Sequence, residues 1–146
     1  MTKHTWNVSN WMSANVFTVG PKSPLVDAFE LMRIHRIRHV PVVDNGRLVG
    51  IVSDRDLRQA MPARNKMDKG SASYGHALME TPVEKAMTRR PISVSPEASI
   101  DEATEIICRE KIGALPVEDD GKLLGIISAE DLLWAFHTNG HRGKHE

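Results

Sequence analysis

The chain has 146 residues, 40% of them hydrophobic, and its 19 basic residues are matched by 19 acidic ones. That length suffices for one globular body with a real core, and no apolar run is long enough to span a bilayer. Charge balance argues against nucleic-acid or membrane-surface binding as the general role, because both need a basic excess; only a local arginine patch could supply one.

Read from its start, the segment Met1–Trp6 lacks the apolar run of a secretory signal. A single cysteine, Cys108, excludes an internal disulfide framework, so a reducing cytoplasmic setting is expected. Trp6 and Trp11 precede the first regular element and read as edge packing or a dimer contact. Phe17–Val19 reads as a short strand closed by Gly20-Pro21. Ser23-Pro24 has the form of a helix N-cap followed by proline at the first helical position. Leu25, Ala28, Phe29 and Met32 then recur at helical spacing. Two β-rich runs follow, Arg38–Val43 and Leu48–Val52. Between them Asp44-Asn45-Gly46 offers the positive-φ residues that a tight hairpin needs. Asp54–Met61 is a closing helix.

Pro62–Pro82 reads as a connector, loop-like around Lys69–Gly75 and helical over His76–Glu80. Beyond it the pattern returns. Shifted by 75 positions, Met12–Met61 lies over Met87–Phe136 without a gap, with 17 of 50 positions identical. The second copy has a strand at Ile92–Val94 and a capping box, Ser99-Ile100-Asp101-Glu102. Ile100, Ala103, Ile106 and Ile107 give its helix an apolar face, on which Cys108 is expected to be half-buried. Ala114–Glu118 and Leu123–Ile127 are joined by Asp119-Asp120-Gly121, and Ala129–Phe136, carrying Trp134, closes the copy. A polar tail follows.

The predicted organisation is an N-terminal segment and first repeat over 1–61, a connector over 62–82, a second repeat over 83–137 and a flexible tail over 138–146. The fold class is α/β (α+β), two β-α-β-β-α repeats packed with pseudo-two-fold symmetry. A unit of about 50 residues buries too little apolar surface to stand alone.

The chemistry concentrates in Gly50-Ile51-Val52-Ser53-Asp54-Arg55-Asp56 and its echo, Gly125-Ile126-Ile127-Ser128-Ala129-Glu130-Asp131. In each, a strand ends at a serine that begins a helix, with an aspartate one turn in. Two readings stay open. Ser-x-x-Asp is a capping box that needs no ligand. The same arrangement also builds a nucleotide site: helix N–H groups and the serine take phosphate, and the carboxylate accepts from ribose hydroxyls. Asp54-Arg55-Asp56 could hold Mg²⁺ beside a polyphosphate, although capping and ribose contacts account for it better. His137, His141 and His145 recur every four residues, but Gly140 and Gly143 interrupt the helix that would align them, so no metal site is expected. There is no HExxH, no GxxxxGK[ST] and no nucleophile–base pairing, so no catalytic residue is assigned.

The doubled pattern of Val40-Pro41-Val42 or Leu115-Pro116-Val117, a hairpin, then Gly-x-x-Ser-x-x-Asp-Leu resembles the cystathionine-β-synthase (CBS) domain. Two in tandem resemble a Bateman module. The resemblance covers Val8–Met61 and Val83–Phe136, and the short stand-alone arrangement is similar to small bacterial proteins of the acetoin-utilisation type. It implies a regulatory module, not an enzyme, that binds AMP, ADP, ATP, NAD or S-adenosylmethionine between the repeats. Such modules often form a homodimer and signal by conformational change to a partner, here an unknown effector protein. The resemblance implies no obligatory cofactor, with Mg²⁺ accompanying ATP. Its main site would combine Ser53, Arg55, Asp56, Ile92, Ser93, Gly113 and Ala114. The second would combine Phe17, Thr18, Arg38, His39, Ser128 and Asp131. Glu130 stands where the first copy has Arg55, which places an anion near any phosphate and makes the Asp56 site the expected stronger one. The rival reading is a structural adaptor that dimerises and whose ligand sites are vestigial.

Overall fold

A computed structural model of the chain describes residues 6–61 and 72–144. Two packed units emerge, and they cut across the sequence repeats. A central unit comprises Phe17–Pro91, and a split unit comprises Met1–Val16 with Ile92–Glu146.

In the central unit, the predicted strand Phe17–Val19 is reduced to one parallel bridge, Val19 with Val42. The Val19 N–H donates to the Pro41 carbonyl and the Val43 N–H to the Val19 carbonyl. Helix α1 (Leu25–His35) follows, but Ser23 does not cap it; Pro24 occupies the N-cap position. The Ser23 hydroxyl instead accepts from the Gly20 N–H at 3.0 Å. The Leu25 N–H donates to the Thr81 carbonyl and the Val83 N–H to the Ser23 carbonyl. A backbone segment distant in sequence has thus taken over a helix-end donor that a local side chain was expected to satisfy. Leu25, Ala28 and Met32 are buried, whereas Phe29 remains 42% exposed.

Strands β1 (His39–Asp44) and β2 (Arg47–Ser53) pair antiparallel. Asn45 at φ 52° and Gly46 at φ 80° form the expected two-residue turn. Helix α2 (Asp54–Ala60) closes the hairpin, and helix α3 (Ala72–Glu80) comes after it. The expected loop Lys69–Gly75 is helical from Ala72 onward, Gly75 included; residues 69–71 lie outside the described residues. Strand β3 (Thr88–Arg89) adds to β2.

The split unit repeats this plan with α4 (Ile100–Glu110), β4 (Ala114–Asp119), β5 (Lys122–Ser128) and α5 (Ala129–Lys144). Val94 bridges Val117 as Val19 bridges Val42. Asp120 at φ 51° and Gly121 at φ 84° turn its hairpin. The Ser99 hydroxyl accepts from the Glu102 N–H at 3.0 Å, half of the expected box. Cys108 is exposed, not half-buried. Helix α5 does not end at Phe136 and yield a coil tail; it continues to Lys144. Glycines at 140 and 143 cost helix stability but, unlike proline, do not break the ladder. Phe136 packs edge-on against Trp6, with ring centroids 5.2 Å apart.

The leading segments of the two repeats settle in the units as Val8 and Val83, both fully buried, Val8 with the split-unit core and Val83 with the central core. This accounts for the repeated glycine. A Cβ on Gly125 would lie 2.6 Å from Met12 Sδ and 2.8 Å from the Ser13 carbonyl oxygen, and one on Gly50 would lie 2.5 Å from Met87 Sδ. Met12 and Met87 are repeat equivalents, so each lies across a strand that must lack a side chain there. Among the described residues, no helix is long and apolar enough to cross a membrane.

Candidate functional site

Both strand-to-helix junctions are capping boxes. In the central unit, Ser53 has extended backbone angles, φ −106° and ψ 167°, and its Oγ accepts from the Asp56 N–H at 3.1 Å. Asp56 Oδ2 in return accepts from the Ser53 N–H at 2.8 Å. In the split unit, Asp131 Oδ2 accepts from the Ser128 N–H at 2.8 Å and from its hydroxyl at 3.0 Å. Ser128 Oγ accepts from the Asp131 N–H at 3.2 Å. Each box uses Oδ2 and leaves Oδ1 outside it. Capping and ligand binding are therefore compatible: the cap fixes the rotamer, and the second oxygen keeps acceptor capacity.

The hairpin brings more to each junction. In the central unit, the Asp54 N–H donates to the Arg38 carbonyl at 2.9 Å, and His39 lies opposite Ser53. Asp54 also accepts from the Arg55 N–H at 2.9 Å and holds Arg58 loosely at 3.8 Å. In the split unit, the Ala129 N–H donates to the Gly113 carbonyl at 2.9 Å, and Ala114 lies opposite Ser128. The structure thus gathers Arg38 and His39 with Ser53, Arg55 and Asp56 in one unit, and Gly113 and Ala114 with Ser128 and Asp131 in the other.

Each expected ligand site is divided between the units. Of the main set, Ser53, Arg55 and Asp56 belong to the central unit, and Ile92, Ser93, Gly113 and Ala114 to the split unit. Of the second set, Phe17, Thr18, Arg38 and His39 belong to the central unit, and Ser128 and Asp131 to the split unit. Phe17 stacks on His35 with centroids 3.7 Å apart and planes 12° from parallel. Thr18 lines an open depression of about 570 Å³ with Gly20, Ser23, Asp27 and Asn45. Arg38 and Arg55 are exposed, Ala114 is buried, and Ser93 and Gly113 are half-buried. Among the described residues, no three His, Cys, Asp or Glu side chains converge to hold a metal ion; His145 lies outside them.

The closeness of His39 to Ser53 escaped the sequence because of one bulge. Counting back from the Asp44–Arg47 pair with regular register sets His39 against Val52. The irregularity between Val42 and Val43 shifts the pairing to Ser53.

Burial pushes the His39 pKa below its ordinary value; Asp54 and Asp56 pull against that shift, and Arg38 adds to it. The imidazole is consequently neutral at pH 7. In the unfolded chain it titrates near 6.5. As pH falls through that value, the unfolded chain takes up a proton that the folded unit accepts only at lower pH. The stability contribution is whole above 6.5 and is lost on acidification. Melting temperature should therefore fall more between pH 7.5 and pH 5.5 in the unmodified chain than in His39→Gln. Equal slopes would remove His39 from the account.

Zero net charge conceals a division by unit. Phe17–Pro91 holds thirteen Lys and Arg against eight Asp and Glu, while the split unit holds six against eleven. The junction carrying Asp56 thus sits in the electropositive unit, and that carrying Asp131 in the electronegative one.

Comparison with known proteins gives one consistent result. The CBS domain profile matches residues 8–63 and 83–138. A putative acetoin utilization protein (AcuB) from Vibrio cholerae superposes with a TM-score of 0.78 at 34% identity, over 96% of each chain. CBSX2 of Arabidopsis thaliana, solved in complex with AMP, superposes with a TM-score of 0.76 at 30% identity, covering 92% of this chain and 98% of that one. The CBS domain-containing protein YhcV of Bacillus subtilis is 29% identical over 94% of this chain and 90% of its own. Three other curated relatives are several times longer, the chain spanning 28%, 21% and 23% of their lengths.

Proposed function

The chain belongs to the CBS-domain family, and from that premise we propose that it is a non-catalytic regulatory module whose repeats together bind an adenosine-containing nucleotide. The observation that carries the reading is the Ser-x-x-Asp junction, folded twice as a capping box whose aspartate keeps one carboxylate oxygen outside the cap. A carboxylate so held can accept from the ribose hydroxyls. The AMP complex of a relative 30% identical over nearly its whole length supports the ligand class.

In this reading the main site uses Ser53, Arg55 and Asp56 with Ile92, Ser93, Gly113 and Ala114. The second uses Ser128 and Asp131 with Phe17, Thr18, Arg38 and His39. Arg55 serves the phosphate, and small residues at Gly113 and Ala114 admit a flat base close to the backbone. No cofactor is obligatory, and Mg²⁺ accompanies ATP. The module works in the cytoplasm as a homodimer and passes its state to an effector protein. A ligand moves that state only by as much as its affinity differs between the two conformations.

A thermal-shift screen with AMP, ADP, ATP, NAD(H) and S-adenosylmethionine tests the proposal. At a free concentration of 100 times Kd, binding adds about 2.7 kcal/mol, which for a chain of this size raises the melting temperature by roughly 5–10 °C. No shift with any of the five overturns the sensor and leaves the adaptor reading.

A further inference from the structure

Basic side chains gather where two segments of the central unit meet. The Val83 N–H donates to the Ser23 carbonyl at 2.7 Å and the Glu84 N–H to the Pro21 carbonyl at 3.0 Å. Across this joint Lys22 Nζ donates to Glu84 Oε1 at 2.7 Å. That hydrogen bond holds the Glu84 carboxyl below its ordinary pKa; burial opposes it, and the charges of Arg89 and Lys85 reinforce it. Lys22, Lys85, Arg89 and Arg90 are all exposed. Over residues 20–24 and 80–91, these four cations stand against two acidic residues, Glu80 and Glu84.

The split unit closes the same joint without them. There the Val8 N–H donates to the Ala98 carbonyl at 2.8 Å and the Ser9 N–H to the Pro96 carbonyl at 3.0 Å. Shifted by 75 positions, Lys22, Lys85, Arg89 and Arg90 become Glu97, Asn10, Ala14 and Asn15. The fold therefore does not require the cations. Arg90 also carries strain. Its φ is 48°, in the left-handed region, although it is not glycine and the following Pro91 restricts it further. A strained arginine inside an exposed basic cluster has the character of a functional surface.

The cluster itself selects the partner. Glu84 shows that a carboxylate fits among these cations, and arginine matches a carboxylate with two parallel bonds. Nucleic acid fits less well: residues 20–24 and 80–91 include no aromatic side chain for a base to stack on, and the chain as a whole has no basic excess. We infer that this surface docks an acidic segment of a partner protein, with Lys85, Arg89 and Arg90 taking its carboxylates. The inference gives the effector of the proposed module its chemistry, but it stands on the charges of the central unit and not on nucleotide binding.

Fluorescence anisotropy with a labelled peptide of alternating glutamate and serine tests it. Lys85→Asn, Arg89→Ala and Arg90→Asn together install the residues of the other copy and leave the Lys22–Glu84 pair intact. That variant should bind the peptide at least about tenfold more weakly than the unmodified chain. Arg109→Gln with Lys122→Gln, which removes cations of the split unit, should change binding by less than about twofold. All five side chains are exposed, so circular dichroism should show native folding; Arg89→Ala alone replaces the triple variant if that one unfolds. Raising salt should weaken the unmodified complex. No binding to the unmodified chain at low salt, an unaffected triple variant, or equal weakening in the split-unit control would each overturn the inference. A single-stranded RNA of equal charge that displaces the peptide and binds more tightly overturns it in favour of nucleic acid. A change in oligomeric mass of the triple variant, read by light scattering, overturns it in favour of a second copy of this chain.

Discussion

Replacement of Asp56 with alanine should abolish the nucleotide-induced thermal shift, whereas Asp131→Ala should spare most of it. Both substitutions remove the N3 carboxylate that accepts from the N-cap backbone N–H, leaving the serine cap in place, so both lower the melting temperature of the unliganded protein to a similar extent. They separate when ligand is added. A hydrogen bond to a charged group contributes about 1.5–3 kcal/mol, and loss of the ribose acceptor therefore weakens binding by roughly 10- to 150-fold. At the concentration that gave about 2.7 kcal/mol, a hundredfold weakening leaves about 0.4 kcal/mol, which a melting curve barely registers. The asymmetry follows from Arg55, whose counterpart is Glu130, and from the excess of basic residues around Asp56. Asp56→Asn adds a control, because its side-chain oxygen can still accept from the Ser53 N–H while it carries no charge for the ribose hydroxyls. If Asp131→Ala abolishes the shift and Asp56→Ala spares it, the order of the sites is reversed.

Substitution of Val8 with aspartate should unfold the split unit. Val8 is fully buried in that unit's core, and its N–H donates to the Ala98 carbonyl at 2.8 Å. A carboxylate placed there has no cationic partner and either remains charged in an apolar medium or takes up a proton, at a cost of several kcal/mol in either case. That is a large share of the stability of an ordinary domain, about 5–15 kcal/mol. Val8→Ala, which removes two methyl groups, should cost about 2 kcal/mol. Val83→Asp should do to the central unit what Val8→Asp does to the split one. The same reasoning extends to fragments: residues 83–146, which the repeat pattern presents as a complete copy, lack Val8 and should show no cooperative melt by circular dichroism. A Val8→Asp variant that melts like the unmodified chain would remove the N-terminal segment from the split unit.

How far the sequence could be read depends on the range of the interactions involved. Asn45-Gly46 and Asp120-Gly121 form their turns because positive φ is a property of those residues themselves. The helices form where apolar residues recur at helical spacing, and the Ser-x-x-Asp boxes close because their partners are three residues apart. Turn, helix face and cap are each decided within a few positions. That is why the doubled signature, and with it the family, was legible in the chain alone.

Contacts between distant residues decided the rest. Ser23 did not cap α1: Pro24 took the N-cap position, and the Leu25 N–H went to the Thr81 carbonyl. The bulge at Val42 and Val43 turned His39 toward Ser53 by shifting a register that no short window fixes. The exposure of Cys108 and the run of α5 on to Lys144 are, by contrast, local outcomes: glycine weakens a helix without breaking its ladder. Most consequential was the assignment of Met1–Val16 to the unit that contains the second repeat. A valine is equally apolar wherever it is buried, so its hydrophobicity says that Val8 has a partner but not which one. The same assignment divides a neutral chain into a positive and a negative unit. Composition alone could not reveal that division, because the sign of each unit depends on which segments pack together.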